Sequence, residues 1–211
     1  MTPNGRFHAA APARPLAALL LLAVSACGPG SAPPPAPGEG FGVPPDLRGR
    51  RVVLLPVQLN AGVQGDVDAE IRFAFTDRGR GVEWILEEDV EDALRRAPAM
   101  DARTRGLPIT PFLQGLVERV GDPLYGQLRR ISALVEADAI LLPIQTSYQP
   151  NETVVNSLPR VRFAATIIEP RTGRVLWYGI EEGLDVPQSD PRALASAVES
   201  LAGTIFWYAG P

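Results

Sequence analysis

The sequence predicts an α/β domain built on a mixed sheet of about four to five strands with flanking helices. Three observations point there. Arg51-Val-Val-Leu-Leu-Pro-Val57 and Ala139-Ile-Leu-Leu-Pro-Ile144 are continuous apolar runs of strand length, as expected for strands buried on both faces. Between them lie stretches with helical periodicity and recognisable caps. After them, residues 161–169 alternate, with Val161, Phe163, Ala165 and Ile167 on one face.

Taken in order, the run 51–57 opens the domain as a buried strand. A loop containing Gly and Asn leads to Asp66, Asp68 and a helix over about 68–78, which Gly79 and Gly81 close. Val82-Glu-Trp-Ile-Leu86 is short and β-prone. Residues 87–96 carry acids first and Arg95-Arg96 last, the arrangement that a helix macrodipole favours, and Pro98 ends that helix. Leu124, Leu128, Ile131, Leu134 and Val135 share one face of a further helix. The strand 139–144 and the alternating strand 161–169 follow. Pro170-Arg-Thr-Gly173 is a turn in which Gly173 supplies a positive φ, and 174–181 returns as the second half of a β-hairpin. Leu194, Val198, Leu201, Ala202 and Ile205 mark a closing amphipathic helix, started by Ser189-Asp190-Pro191. The expected order is β-α-β-α-α-β-β-β-α, one domain over residues 46–211.

Composition limits the chemistry. The 211 residues include one Cys (Cys27), one His (His8) and no Lys, so all twenty basic residues are Arg. Both rare residues fall in an opening segment that reads as an export signal. Arg6, His8 and Arg14 are followed by the apolar run Leu16–Val24, nine residues that reach only about 14 Å at a helical rise of about 1.5 Å. That is too short to span a hydrocarbon core of about 30 Å and suits the central region of a signal peptide. Val24-Ser25-Ala26-Cys27 resembles the bacterial lipobox, whose Cys becomes the acylated N-terminus. Cys27 is therefore the expected lipidation site, and a signal peptide over 1–26 is the expected leader. Gly28 after it, in place of Asp, resembles lipoproteins that proceed to the outer membrane. The expected location is the outer membrane, facing the periplasm.

Without residues 1–26 the chain has no His, no Lys and no thiol. This excludes Ser-His-Asp and Cys-His nucleophiles, a Schiff-base Lys, a P-loop Lys and zinc sites of His or Cys. Eighteen Arg then face twenty-four acids. An acidic chain without a basic run is a poor nucleic-acid binder, so membrane attachment would come from acyl chains on Cys27. No cofactor is expected. Residues 27–45, rich in Pro and Gly, read as a disordered tether that holds the domain away from the bilayer.

Few residues could carry chemistry. Glu87, Glu88, Asp89, Glu91 and Asp92 form the densest acidic cluster, which a glycan hydrolase could use if two carboxyls converged across a cleft. Their place in the first turns of a helix reads better as a solvated, dipole-compensating face. Asp66-x-Asp68-x-Glu70 begins like a calcium loop but has Ile71 where the Gly belongs and Asp77 where the last Glu belongs, so helix capping accounts for it. Asn151-Glu-Thr153 matches a glycosylation sequon but also any polar loop, and the lipobox resemblance implies a bacterial host, so it carries no weight. Trp177 and Tyr178 point to opposite faces of one strand, and Trp207 and Tyr208 end the chain. With the basic pair Arg129 and Arg130 they are the candidate partner contacts, since exposed Trp, Tyr and Arg dominate protein interfaces. Sealing the core is the competing role for the aromatic rings. The long polar connection Tyr148–Pro159 is a second candidate surface.

The strand Val53-Leu-Leu-Pro-Val57, the junction Glu136-Ala-Asp-Ala-Ile-Leu141 and the hairpin Ile167-Ile-Glu-Pro-Arg-Thr-Gly-Arg-Val-Leu-Trp177 occur in this order. Together they resemble the α/β fold shared by the TolB N-terminal domain, the curli-secretion lipoprotein and the lipoprotein activators of penicillin-binding proteins. The resemblance covers most of residues 50–208 and transfers no functional residue. Those families are non-catalytic scaffolds and partner-binding domains. The resemblance therefore implies a lipid-anchored, non-enzymatic accessory protein that binds an envelope protein in cell-wall synthesis, secretion or transport. A subunit of an oligomeric secretion pore and, further off, a carboxylate-dependent glycan hydrolase are the alternatives.

Overall fold

The computed structural model describes residues 39–115, 117–150 and 158–209. The signal segment, Cys27 and the first part of the expected tether lie outside them. The elements are β1 (Glu39–Phe41), β2 (Arg51–Leu54), β3 (Leu59–Ala61), α1 (Val67–Arg78), β4 (Glu83–Ile85), α2 (Glu87–Arg96), α3 (Thr110–Gln114), α4 (Leu124–Val135), β5 (Ala139–Gln149), β6 (Arg160–Glu169), β7 (Arg174–Glu182) and α5 (Arg192–Ile205). Among the described residues no helix is long and apolar enough to cross a membrane.

The strands form one mixed sheet in the order β1-β7-β6-β5-β2-β4, with β3 also pairing β5. β2 lies parallel to both β4 and β5, while β5, β6 and β7 form an antiparallel meander. The apolar run of β2 is continuous because both of its faces are covered. Val52 and Leu54 join Ala139 and Leu141 on one side, with α1 and α5. Val53 and Leu55 join Ile140, Leu142 and Ile144 on the other, with α2, α3 and α4. The result is a three-layer α/β/α sandwich. The alternation in β6 is real, since Val161, Phe163, Ala165 and Ile167 all enter the layer beneath α5. That helix buries Leu194, Val198, Leu201, Ala202 and Ile205, and Asp190 Oδ1 accepts from Arg192 N at 2.9 Å at its start.

Three short elements extend the expected order. β3 lies in the stretch read as loop, and α3 lies between the helices 87–96 and 124–135, where the expected order has no element. β1 corrects the tether boundary, because residues 39–45 belong to the folded domain. Glu39, Gly40 and Phe41 pair with Ile180, Gly179 and Tyr178 of β7. A Cβ on Gly40 would stand 2.2 Å from the Tyr178 carbonyl oxygen, so glycine allows this approach. Phe41 then stacks on Tyr178 with ring centroids 6.4 Å apart.

Candidate functional site

The densest acids meet at the end of β2, where α1 and α2 both begin. Arg105 lies between two of them, with Nη1 2.8 Å from Asp68 Oδ2 and Nη2 2.6 Å from Glu87 Oε2. Hydrogen bonding to Glu87 first, then to Asp68, holds the Arg105 guanidinium above its ordinary range. Asp68 Oδ1 accepts from Val57 N at 2.8 Å, and Thr104 Oγ1 donates to Glu87 at 3.2 Å. Glu88 pairs with Arg72, Asp89 accepts from Leu86 N, and Asp92 pairs with Arg95. The cleft beneath has room for about 30 Å³, enough for water and not for a sugar ring. A guanidinium thus sits where a hydrolase would place its substrate between two carboxyls. Asp66 caps α1 by accepting from Ala69 N at 3.0 Å, which is the capping role expected of it. Among the described residues no three His, Cys, Asp or Glu side chains converge to hold a cation.

The aromatic candidates divide. Trp177 and Tyr178 do face opposite sides of β7, but both sides are covered, and they are only 4% and 8% exposed. Their role as partner contacts is corrected to packing. The Trp177 indole lies across Gly179, where a Cβ would come within 2.2 Å of Cζ2. Tyr178 stacks between Phe41 and Phe112, the latter at 6.1 Å and nearly parallel. Trp207 and Tyr208, in a short 3₁₀ turn, are half-buried and keep some surface. Tyr208 accepts from Leu47 N at 3.2 Å, its ring lies 4.9 Å beneath the Arg48 guanidinium, and Trp207 packs edge-on against it. Burial pushes the Tyr208 hydroxyl above its ordinary pKa, against the opposing pull of the Leu47 N–H. These two rings fasten the end of the chain to the segment before β2.

Arg129 and Arg130 are exposed on the outer face of α4. The structure adds a neighbour that the sequence reading did not single out. A groove of about 510 Å³ is lined by Tyr125, Arg129, Ser132, Ala133 and Glu136 from α4 and its C-cap and by Arg171 from the β6–β7 turn. The turn is tied down on every side. The Tyr125 hydroxyl donates to the Arg171 carbonyl at 2.8 Å, Arg119 Nη1 donates to Thr172 O, and Val120 N donates to Gly173 O at 2.8 Å. Gly173 has the expected positive φ, +72°, and a Cβ there would stand 2.9 Å from both Tyr125 Cδ2 and Val120 O. A second groove, of about 310 Å³, crosses the sheet face beside the exposed side chains of Leu59 and Leu113. Residues 151–157 of the expected contact loop lie outside the described residues.

No family model matches the chain, and no curated protein does. Solved structures with a similar arrangement include PelC from Paraburkholderia phytofirmans, crystallised as a dodecamer, at 12% identity over 80% of this chain and 95% of that one, TM-score 0.44. They include the LpoB C-terminal domain from Escherichia coli, at 15% identity over 64% of this chain and 83% of that one, TM-score 0.38. TolB from Acinetobacter baumannii is a third, at 9% identity over 82% of this chain and 30% of that one, TM-score 0.38. These likenesses concern the arrangement of the backbone and say nothing of what this chain binds.

Proposed function

We propose that the chain is a lipid-anchored, non-enzymatic accessory protein. Acyl chains on Cys27 hold it at the periplasmic side of the outer membrane, and its domain binds an envelope protein of a cell-wall synthesis, secretion or transport complex. The observation that carries this reading is Val24-Ser25-Ala26-Cys27, a lipobox-like tetrapeptide after a short apolar run, containing the chain's single Cys. The domain's chemistry agrees with it. The acids that offered the best hydrolase site are used in ion pairs and caps within the fold. The Pro- and Gly-rich stretch after Cys27 supplies reach for a domain that works at a distance from its anchor. The test is crosslinking in intact cells followed by recovery of the full acylated chain from the envelope. A reproducible protein partner is expected. Recovery of the chain alone, from cells in which it is correctly acylated, counts against the reading.

A further inference from the structure

We propose that the groove between α4 and the β6–β7 turn receives an acidic, extended segment of the envelope partner, with Arg129 and Arg171 as its two anchoring cations. This rests on the accessory reading above and names the surface and the chemistry of its contact.

Charge complementarity is the first argument. Many of the domain's arginines pair with its own acids, as in Arg51 with Glu83 and Glu136, Arg78 with Glu199 and Arg160 with Asp185. The arginines at this groove do not. Among the described residues no carboxylate lies within 4.0 Å of the guanidinium of Arg129, Arg130 or Arg171. Glu136, the one acid lining the groove, is paired with Arg51, and the nearby acids are occupied: Glu169 accepts from Thr172 Oγ1, and Asp122 accepts from Gly126 N. Two planar forks thus face a common groove with their donors available for carboxylates.

Preorganisation is the second. Arg171 sits on a turn whose backbone is bonded to Tyr125 and to residues 119–120, so its position relative to Arg129 is set before any partner arrives. Holding the cations on two rigid elements lowers the ordering cost of binding. A groove of about 510 Å³ is within the range of about 300–1,000 Å³ that receives ligands, and Tyr125 gives it an aromatic wall.

The number of cations favours a protein over a lipid surface. Binding to anionic lipid takes a cluster of about 4–8 basic residues next to the membrane. Here Arg129 and Arg171 line the groove, with Arg130 the next residue on α4.

The experiment uses the full acylated chain in neutral detergent micelles and a fluorescent peptide of alternating Asp, Glu and Ala, followed by anisotropy. The wild type binds it and does not bind the counterpart with Lys in place of the acids. Binding weakens as salt rises. Arg129→Glu and Arg171→Glu each weaken it on the order of tenfold or more with unchanged melting temperatures, and Arg130→Glu, beside the groove, has a smaller effect. Equal binding by wild type and the Arg129→Glu, Arg171→Glu double variant overturns the proposal. So does a preference for phosphatidylglycerol vesicles or inorganic phosphate over the peptide. In cells, a photoreactive residue at Ala133 is expected to crosslink to a partner peptide rich in Asp and Glu; a crosslink to a second copy of this chain overturns the proposal. Protein crosslinks from Leu113 with none from Ala133 overturn the groove and leave the accessory reading standing. Absence of protein crosslinks from both positions overturns that reading as well.

Discussion

Trp177→Ala separates packing from recognition at a residue whose chemistry suits either. Its side chain is 4% exposed, in the layer between the sheet and α5, with the indole across Gly179. Truncating a buried Trp removes its transfer free energy and leaves a cavity, together about 3–5 kcal/mol. For a domain of this size each kcal/mol lowers the melting temperature by about 2–4 °C, which gives a fall of roughly 6–20 °C. An exposed contact residue would change stability by no more than about 0.5 kcal/mol. Gly179→Ala is the companion, because its new Cβ would come within 2.2 Å of the Trp177 ring. Displacing the ring costs about 1–3 kcal/mol. In the double variant the new methyl enters space that the indole has left. The two effects therefore fall short of adding by about 1 kcal/mol or more. Denaturant and thermal unfolding followed by far-UV circular dichroism, which does not depend on the lost Trp, measures all three. A Trp177→Ala protein as stable as wild type, or strict additivity in the double variant, refutes the packing derived for β7.

Two further perturbations test other parts of the fold. Gly173→Val places a side chain at φ +72° against the Val120 carbonyl and the Tyr125 ring, and should cost at least about 1–2 kcal/mol from the left-handed backbone alone. Amide exchange at Val120 and Val175, whose N–H groups bond to Gly173 O and Glu118 O, should quicken in that variant; unchanged protection there contradicts the tie between the turn and residues 118–120. Tyr208 tests the sealing of the chain end by pH. Because burial raises its pKa above the ordinary 10.0, the folded state favours the neutral phenol. That contribution is fully present below about pH 10 and is lost as pH rises through the folded value. Tyr208→Phe should lose about 1 kcal/mol at neutral pH by leaving Leu47 N unpaired, and should flatten the alkaline fall in melting temperature. An identical alkaline slope in wild type and variant contradicts the burial of the hydroxyl.

Much of the architecture was legible because its signals are local. The run at Val52–Leu55 can be apolar throughout only if both faces are covered, and the period of two in Val161–Ile167 names the buried face of β6. The Pro-Arg-Thr-Gly turn and the Asp190 cap depend on residues within a few positions of each other. β1 and β3 escaped because Glu39-Gly-Phe41 and Leu59-Asn-Ala61 lack the β-prone Trp and Ile that mark β4, and draw their stability from the strand they join. Nothing in Glu39-Gly-Phe41 announces that Gly40 will lie against Gly179. The aromatic residues show the limit for function. Period two places Trp177 and Tyr178 on opposite faces but cannot say that α5 covers one and α3 the other. The groove was half visible for a similar reason: Arg129 and Arg130 stand out as a pair on a helix, whereas Arg171 lies over forty residues away in a turn. Its relation to Arg129 exists only once Tyr125 has tied that turn to α4.

Cys27 is the residue on which the proposed anchoring rests. The most direct test is to grow a bacterial host producing the chain with radiolabelled palmitate and to compare wild type with Cys27→Ala. The wild type should carry the label, begin at Cys27 with a diacylglyceryl mass increment, and sediment with outer membranes. The variant should carry no label and leave the outer-membrane fraction. A wild type without label, or one whose mature N-terminus lies elsewhere than Cys27, contradicts the lipid-anchored reading.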